Sequence, residues 1–141
     1  MRELYTTTAR AEGGRAGHVR TSDGLLRVDL ALPPELGGTG GATNPEQLFA
    51  AGYAACFESS LRFLAGMRKL PLRDAAVTAT VRILAPEGGG AWKLGVTLRS
   101  ELQGLEQAAA EALVHAADEV CPYSNAVRGN VEVAHAVHAS A

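Results

Sequence analysis

The chain contains two cysteines, Cys56 and Cys121, which are its best candidates for nucleophilic chemistry. In a reducing cytosol two cysteines do not usually form a permanent bridge, so a disulfide there is more often transient and catalytic. The opposite interpretation is a pair of inert buried thiols, because free cysteine is among the most buried residue types. The residue types and their separation leave both interpretations open.

A reactive Cys56 needs a cation nearby, because it lies in an apolar segment where desolvation alone raises the pKa of a thiol. Arg15, which follows two glycines in a predicted turn, and Arg20 are the candidates. A partly buried guanidinium needs a counter-charge, and Glu46 could supply it through a bidentate ion pair. Each of these charges could equally be an ordinary surface group, and Glu46 would also complement the dipole of the helix that it begins.

The role of Cys121 is not settled by arguments about ionisation. Cys121 ends a predicted helix, where the dipole disfavours a thiolate. The following Pro122 could instead make Cys121 the N-cap of a new turn, where the dipole favours a thiolate. The two interpretations stay open from the local sequence.

The four histidines do not predict a metal centre. His18 and His115 are far apart in the chain, and His135 and His138 fall on opposite faces of a predicted strand. No spacing of histidines with the two cysteines is typical of a zinc site. We therefore expect no metal ligand set in this protein.

Composition favours a single domain spanning residues 1–141. With 47% apolar residues, a chain of 141 residues can bury roughly two thirds of its unfolded surface. The formal charge of −2 comes from 13 Lys/Arg and 15 Asp/Glu scattered along the chain, so no basic stripe predicts nucleic-acid binding. No signal peptide and no apolar run long enough for a membrane span are evident, which predicts a cytoplasmic protein.

The N-terminal third predicts an antiparallel meander followed by a connector and a helix. Alternating apolar residues at 26–32 and a Thr-rich segment at 4–11 indicate strands. The glycine-rich loop at 37–41 lacks the residues of a phosphate-binding motif and is interpreted as a solvated connector. Asn44, with Pro45 and Gln47 after it, is a good helix N-cap, so we expect a helix over 45–68. Because this helix is apolar almost all round, we expect it to be centrally buried.

The C-terminal part predicts a hairpin, a second helix and a last strand. Alternation over 77–83 and 92–98 on either side of a glycine run indicates the hairpin. An Ala- and Glu-rich segment at 105–120 indicates the helix, which Pro122 stops, and valines at 131–137 mark the strand. This order of elements predicts an α+β fold rather than a parallel βαβ sheet.

The predicted long helix separates two of the candidate site residues. Ten residues of straight helix place Glu46 about 15 Å from Cys56 along the axis and about 80° away around it. One straight helix cannot bring both side chains into one small pocket. A long bridging side chain such as Arg15, a kink near Gly52 or a second copy of the helix could overcome that separation, and we expect a homodimer with its pockets at the subunit interface.

Two segments of the chain resemble a known family. The segments NPEQLFAAGYAACF at 44–57 and CPYSNAVRGN at 121–130 resemble the two signatures of the organic hydroperoxide resistance proteins, a branch of the OsmC-like superfamily. The GGR turn at 13–15 and the SDG turn at 22–24 match as well, and the resemblance covers essentially the whole chain. It implies an OsmC-like α+β fold in which antiparallel sheets wrap around two central helices of an intertwined homodimer.

The resemblance also implies a role for each candidate residue. Cys56 corresponds to the peroxidatic cysteine and Cys121 to the resolving cysteine, and the two would form an intramolecular disulfide. Arg15 corresponds to the arginine that activates the thiolate, and Glu46 to the carboxylate that orients this arginine. Arg20 is thereby no longer a candidate.

The activity that the resemblance implies is the reduction of alkyl and fatty-acid hydroperoxides to alcohols, as part of a response to oxidative stress. It implies no bound cofactor, because dihydrolipoyl groups (dihydrolipoamide or lipoylated proteins) act as the external reductant. Selectivity for organic hydroperoxides predicts an apolar channel beside Cys56, and the candidate lining residues are Phe49, Tyr53, Phe57, Leu94 and Tyr123. Each of these side chains could instead belong to the packed core. Two alternatives remain: an OsmC-subtype peroxidase with a broader peroxide preference, and a non-catalytic carrier of apolar ligands on the same fold.

Overall fold

The computed structural model describes residues 1–141 and divides them into two compact units, Met1–Leu48 and Phe49–Ala141. The expectation of one domain stays a prediction. Every helix of the structure is too short or too polar to cross a lipid bilayer.

The first unit contains a three-stranded antiparallel meander in the order β1-β2-β3. Its strands are β1 (Ala9–Glu12), β2 (His18–Thr21) and β3 (Arg27–Asp29). A 3-10 turn, Gly14–Ala16, joins β1 to β2, and a second one, Pro34–Leu36, lies in the connector after β3.

Both predicted strands of the meander are shorter than expected. Residues 4–8 are not in a strand, and Leu4 and Tyr5 are exposed, because β2 is only long enough to pair with the last part of the segment. Of the predicted strand at 26–32, only Arg27–Asp29 forms a strand. Alternating apolar side chains alone do not make a strand. The segment forms one only where a neighbouring backbone is present to pair with its N–H and C=O groups.

Helix α1 (Pro45–Met67) ends within one residue of the predicted boundary. The Oδ1 atom of Asn44 accepts a hydrogen bond of 2.8 Å from the backbone N–H of Gln47, as expected of an N-cap. The side chain of Gln47 does not complete a capping box, because its Oε1 accepts a hydrogen bond from the hydroxyl of Thr43 instead.

The burial of α1 is one-sided within this chain, so the expectation of burial all round is not met. Tyr53, Phe57 and Leu61 are fully buried. Small and large apolar residues on other faces are exposed, among them Ala55 and Phe63, the latter at 63%.

The second unit contains a three-stranded sheet in the order β4-β5-β6. Its elements are β4 (Asp74–Leu84), β5 (Lys93–Gln103), α2 (Gln107–Val120), α3 (Pro122–Val127) and β6 (Glu132–Ser140). Strands β4 and β5 form the predicted antiparallel hairpin.

The sheet of the second unit departs from the predicted antiparallel arrangement at one strand. Strand β6 lies parallel to β5, because the helical connection through α2 and α3 returns the chain to the end of the sheet at which β5 began. The observed fold is α+β, as expected. Its core packs one face of α1 and the apolar face of α2 against β5, with Val96, Leu98 and Leu113 fully buried.

Candidate active site

The first candidate pair, Arg15 and Glu46, is formed in the structure. Gly13 and Gly14 adopt φ angles of 83° and 62°, a left-handed conformation that lets the chain turn sharply and present Arg15. The Arg15 Nη1 and Nη2 atoms donate to the two Glu46 carboxylate oxygens at 2.7 and 2.8 Å. This is the bidentate ion pair that the sequence predicts.

Each partner of this pair stabilises the charged form of the other. The hydrogen bonds from Arg15 lower the pKa of the Glu46 carboxyl group, and those same bonds raise the pKa of Arg15. The Arg15 side chain keeps 40% of its surface exposed, against 18% for Glu46. The guanidinium has five N–H groups and uses two of them here, so it retains donors for a further partner.

The second candidate pair, Cys56 and Cys121, is also brought together. Cys56 lies in the middle of α1, and Cys121 lies at the junction where α2 ends and α3 begins. Their Sγ atoms are 3.5 Å apart, and both thiols are free. A disulfide requires about 2.05 Å, so closure of the bond needs a movement of about 1.5 Å.

The thiol of Cys56 is not activated by its surroundings in the second unit. Burial is the main cause that raises its pKa, and the backbone N–H of Tyr123 acts in the opposite direction. Cys121 is fully buried. Cys121 is the C-cap of α2 and also the N-cap of α3. Both of the positions that the sequence left open are therefore observed.

A set of polar side chains holds the turn that carries Cys121. The Asn125 amide donates to the backbone carbonyl groups of Glu119 and Cys121 at 3.0 and 3.1 Å. Arg128 in turn donates to Asn125 Oδ1 at 2.7 Å and to the backbone carbonyl of Asp118. The thiol of Cys121 is therefore positioned by hydrogen bonds on both sides of the α2–α3 junction.

Three aromatic rings pack next to the thiol pair. Phe49, Tyr53 and Tyr123 have ring centroids 5.8–6.4 Å apart. The Tyr53 hydroxyl, fully buried, is 2.7 Å from Ser124 Oγ. A Cβ atom at Gly52 would come within 2.8 Å of the Tyr123 hydroxyl, so glycine is what allows this ring to lie against α1.

The five predicted lining residues have different environments. Phe49 and Leu94 line a cavity of about 430 Å³, whereas Tyr53 and Phe57 are fully buried in the core. Tyr123 is 40% exposed. Contact of these five side chains with a substrate stays a prediction.

Two features of the site have no clear signal in the sequence. The hydrogen bond between Tyr53 and Ser124 joins residues 71 positions apart. His135 Nε2 lies 3.2 Å from Asp118 Oδ1, and its ring packs against Phe57 at 5.3 Å. Local periodicity in the sequence does not link residues so far apart in the chain. The one signal is that Ser124 and Asn125 follow soon after Cys121, which indicates that they lie near its thiol.

The fold and the site define a class of α+β proteins in which a cysteine of a long helix lies beside a second cysteine at the junction of two further helices. A protein-family model described as OsmC-like protein matches residues 38–136. The chain belongs to the OsmC-like family.

Relatives within this family are similar over nearly the whole chain. Organic hydroperoxide resistance protein OhrB of Bacillus subtilis is 46% identical over 132 residues, which cover 92% of this chain and 95% of the relative. A crystal structure of an organic hydroperoxide resistance protein from Legionella pneumophila has 60% sequence identity and a TM-score of 0.93, covering 97% of this chain and 99% of the other. A second such structure, from Elizabethkingia anophelis, has 43% identity and a TM-score of 0.94, covering 99% and 100%.

Proposed function

We propose that this protein is a cysteine-based peroxidase that reduces organic hydroperoxides to alcohols. The observation that carries the proposal is the distance of 3.5 Å between the Sγ atoms of Cys56 and Cys121, which suits disulfide formation after oxidation. Relatives named for organic hydroperoxide resistance support the choice of substrate.

The first step of the proposed reaction uses Cys56. Its thiolate attacks the distal oxygen of the hydroperoxide, a sulfur–oxygen bond forms and the oxygen–oxygen bond breaks. The leaving alkoxide takes up a proton and departs as an alcohol, which leaves a sulfenic acid on Cys56. The peroxide is reduced by two electrons, and the sulfur is oxidised by two.

The second step uses Cys121. Its sulfur attacks the sulfenic sulfur of Cys56, a disulfide forms, and the hydroxyl group leaves with the thiol proton as water. Because the two sulfur atoms already lie near each other, this step needs only a small movement of the chain. We propose that a dihydrolipoyl dithiol then reduces the disulfide, and that this cycle operates in the cytoplasm.

We assign the activation of Cys56 to Arg15. Burial raises the pKa of the Cys56 thiol, so the reactive thiolate needs a positive charge that the groups around it in the second unit do not supply. Arg15 carries such a charge, has unused N–H donors and is oriented by the Glu46 carboxylate. The same donors could stabilise the charge that develops on the peroxide oxygens.

We further propose that the protein works as a homodimer. Exposed apolar residues on α1, including Ala55 and Phe63, lie on a helix whose other side is fully packed. A second copy would cover this surface. A monomer at micromolar concentration with full activity would contradict the dimer.

The proposed function is tested by single-turnover oxidation with an organic hydroperoxide. Reduced protein is mixed with one equivalent of cumene hydroperoxide, thiols are titrated with time, and mass analysis locates the product bond. We expect loss of two thiols per chain and a bond between Cys56 and Cys121. With Cys56→Ser we expect no oxidation, and with Cys121→Ser one reduction that stops at the sulfenic acid.

Other outcomes of this experiment identify the alternatives. An absence of any disulfide after stoichiometric peroxide would contradict the peroxidase and favour a carrier of apolar ligands. Equal rate constants for cumene hydroperoxide and hydrogen peroxide would favour a peroxidase with a broader preference. Steady-state turnover by Cys56→Ser would show that the attacking residue is wrong.

A further inference from the structure

The two elements that carry the cysteines are joined a second time, by Tyr53 and Ser124. The Tyr53 hydroxyl oxygen lies 2.7 Å from Ser124 Oγ, and the two residues are 0% and 3% exposed. Tyr53 comes three residues before Cys56 on α1, and Ser124 comes three residues after Cys121. Because residues three apart on a helix are neighbours on one face, the hydroxyl contact and the thiol contact leave α1 on the same side.

This hydrogen bond restrains the turn that carries Cys121 in a way that its other polar contacts do not. The side-chain hydrogen bonds of Asn125 and Arg128 go to residues between 118 and 125, so they fix the shape of the turn. They do not reach α1. The bond from Ser124 to Tyr53 does reach α1, and it therefore fixes the position of the turn against the helix that carries Cys56.

The surroundings of Tyr53 keep this contact in place. Its ring packs against the rings of Phe49 and Tyr123, with centroids 6.0 and 5.8 Å apart. Burial is the main cause that raises the pKa of Tyr53, so its hydroxyl group stays protonated and neutral at pH 7. If the contact broke, two buried hydroxyl groups would be left without a partner, which costs more than the bond itself contributes.

Disulfide formation needs a movement that such a contact allows. The sulfur atoms of Cys56 and Cys121 lie 3.5 Å apart and must approach to about 2.05 Å. A contact held at one point permits rotation about that point and resists sliding. The turn can therefore swing Cys121 towards Cys56 while Ser124 stays against α1.

We propose that the hydrogen bond between Tyr53 and Ser124 positions Cys121 for its attack on the sulfenic sulfur of Cys56. This inference rests on the proposed peroxidase activity. It adds no chemical step: the sulfur–sulfur bond forms, the sulfur–oxygen bond breaks, and the hydroxyl group leaves with the thiol proton as water. Tyr53 and Ser124 are positioning residues, because they act through the placement of Cys121.

The consequence is a shorter lifetime for the sulfenic acid of Cys56. A second hydroperoxide molecule can oxidise a sulfenic acid to a sulfinic acid while it is itself reduced to an alcohol, and this product is not returned by dithiols. Attack by Cys121 competes with that reaction. The hydrogen bond between Tyr53 and Ser124 therefore protects Cys56 from irreversible oxidation.

The test is a double-mutant cycle with Tyr53→Phe, Ser124→Ala and the variant that carries both substitutions. Each reduced protein is mixed with cumene hydroperoxide, and quenched-flow mass analysis follows the sulfenic acid and the disulfide. We expect each single substitution to slow disulfide formation by about fivefold, the factor that one net hydrogen bond contributes. The double variant should be no slower than either single one. With excess peroxide, all three should form about fivefold more sulfinic acid than the unaltered protein.

Urea unfolding of the same reduced proteins separates positioning from a purely structural role. Each single substitution leaves one buried hydroxyl group unpaired and should lower the free energy of unfolding. Removal of both hydroxyl groups leaves none unpaired, so the double variant should regain most of this loss. Its disulfide formation should nevertheless stay slow. The protein concentration is kept constant, because unfolding of a dimer depends on it.

Ser100→Ala is the matched control for Ser124→Ala. Ser100 is a fully buried serine of β5 whose hydroxyl group has no hydrogen-bond partner. Its substitution removes the same group from a similar depth without breaking a contact. Disulfide formation in Ser100→Ala should keep the rate of the unaltered protein.

Three results would overturn the inference. Normal disulfide formation in Ser124→Ala would show that the hydrogen bond does not position Cys121. A rate that recovers together with stability in the double variant would show that the bond serves folding alone. An equal slowing in Ser100→Ala would assign the effect to the loss of any buried hydroxyl group. In contrast, absence of oxidation in the unaltered protein would contradict the peroxidase activity itself.

Discussion

The Arg15–Glu46 pair and the Cys56–Cys121 pair differ in how complete each one is. Both bring together residues far apart in sequence, separated by 31 and 65 positions. The ion pair is already formed, because two charge-assisted hydrogen bonds join Arg15 to Glu46 and stabilise the charged form of each partner. The thiol pair lies within about 1.5 Å of the disulfide bond length but lacks the charge needed for reaction, since burial raises the pKa of Cys56.

This difference suggests that the two pairs have separate roles. A buried thiol protected from ionisation is stable against random oxidation, because the thiolate is the reactive form. A guanidinium held by one carboxylate keeps its orientation while it retains unused donors. The thiol pair, which supplies the geometry, and the ion pair, which supplies the charge, thus lie in different parts of the chain. Each pair can therefore be perturbed separately.

The largest effect that separates the two pairs is expected from Arg15→Ala. Loss of the guanidinium should lower kcat/KM for cumene hydroperoxide by about 100-fold, the scale measured when one stabilising donor is removed from an active site. Stopped-flow kinetics of the first step measures this change. Arg15→Lys should recover only part of the rate, because a lysine cannot make the bidentate pair with Glu46. Unchanged kinetics of Arg15→Ala would contradict its assigned role.

A stability effect is expected within the thiol region from Gly52→Ala. The added Cβ would lie 2.8 Å from the Tyr123 hydroxyl and 3.1 Å from its ring, so the ring must move. We expect a loss of about 1–3 kcal/mol in the free energy of unfolding, the usual cost of overpacking. Urea unfolding measures it. In a Tyr123→Ala background the same substitution should cost much less, and equal costs in the two backgrounds would show that the ring is not the cause.

A smaller kinetic effect is expected from Asn125→Ala. This change removes the hydrogen bonds that hold the carbonyl groups of Glu119 and Cys121. A net value of about 1 kcal/mol for such a bond predicts disulfide formation slowed by about fivefold. Quenched-flow mass analysis should find the first step unchanged and the sulfenic acid of Cys56 longer-lived. A slower first step with normal disulfide formation would contradict the positioning role.

The smallest effect is a dependence of stability on pH in the ion-pair region. Arg15 lowers the pKa of the folded-state Glu46 carboxyl group. This contribution is therefore present above the ordinary glutamate pKa of about 4.3 and is lost as pH falls through the lower folded value. We expect Glu46→Gln to destabilise the protein by about 1 kcal/mol at pH 7, because the pair is partly exposed, and by less at pH 3. An equal cost at both pH values would contradict the linkage.

Much of the fold was predictable because local patterns decided it. The N-cap Asn44 and the apolar run after it defined α1 to within one residue of its end. The glycine run between two alternating segments defined the β4–β5 hairpin. Residues 4–8 and the direction of β6 were not predictable in this way, because strand pairing depends on backbone from elsewhere in the chain.

The candidate site divides along the same line. The sequence by itself indicated the candidate residues, because a thiol, a guanidinium and a carboxylate are recognisable by type and by the motifs around them. Only the tertiary structure decided that Cys56 and Cys121 lie 3.5 Å apart, that Glu46 binds both ends of the Arg15 guanidinium, and that Asn125 holds the Cys121 turn. The physical reason is that a residue's chemistry is local, whereas distance and burial depend on how the whole chain packs.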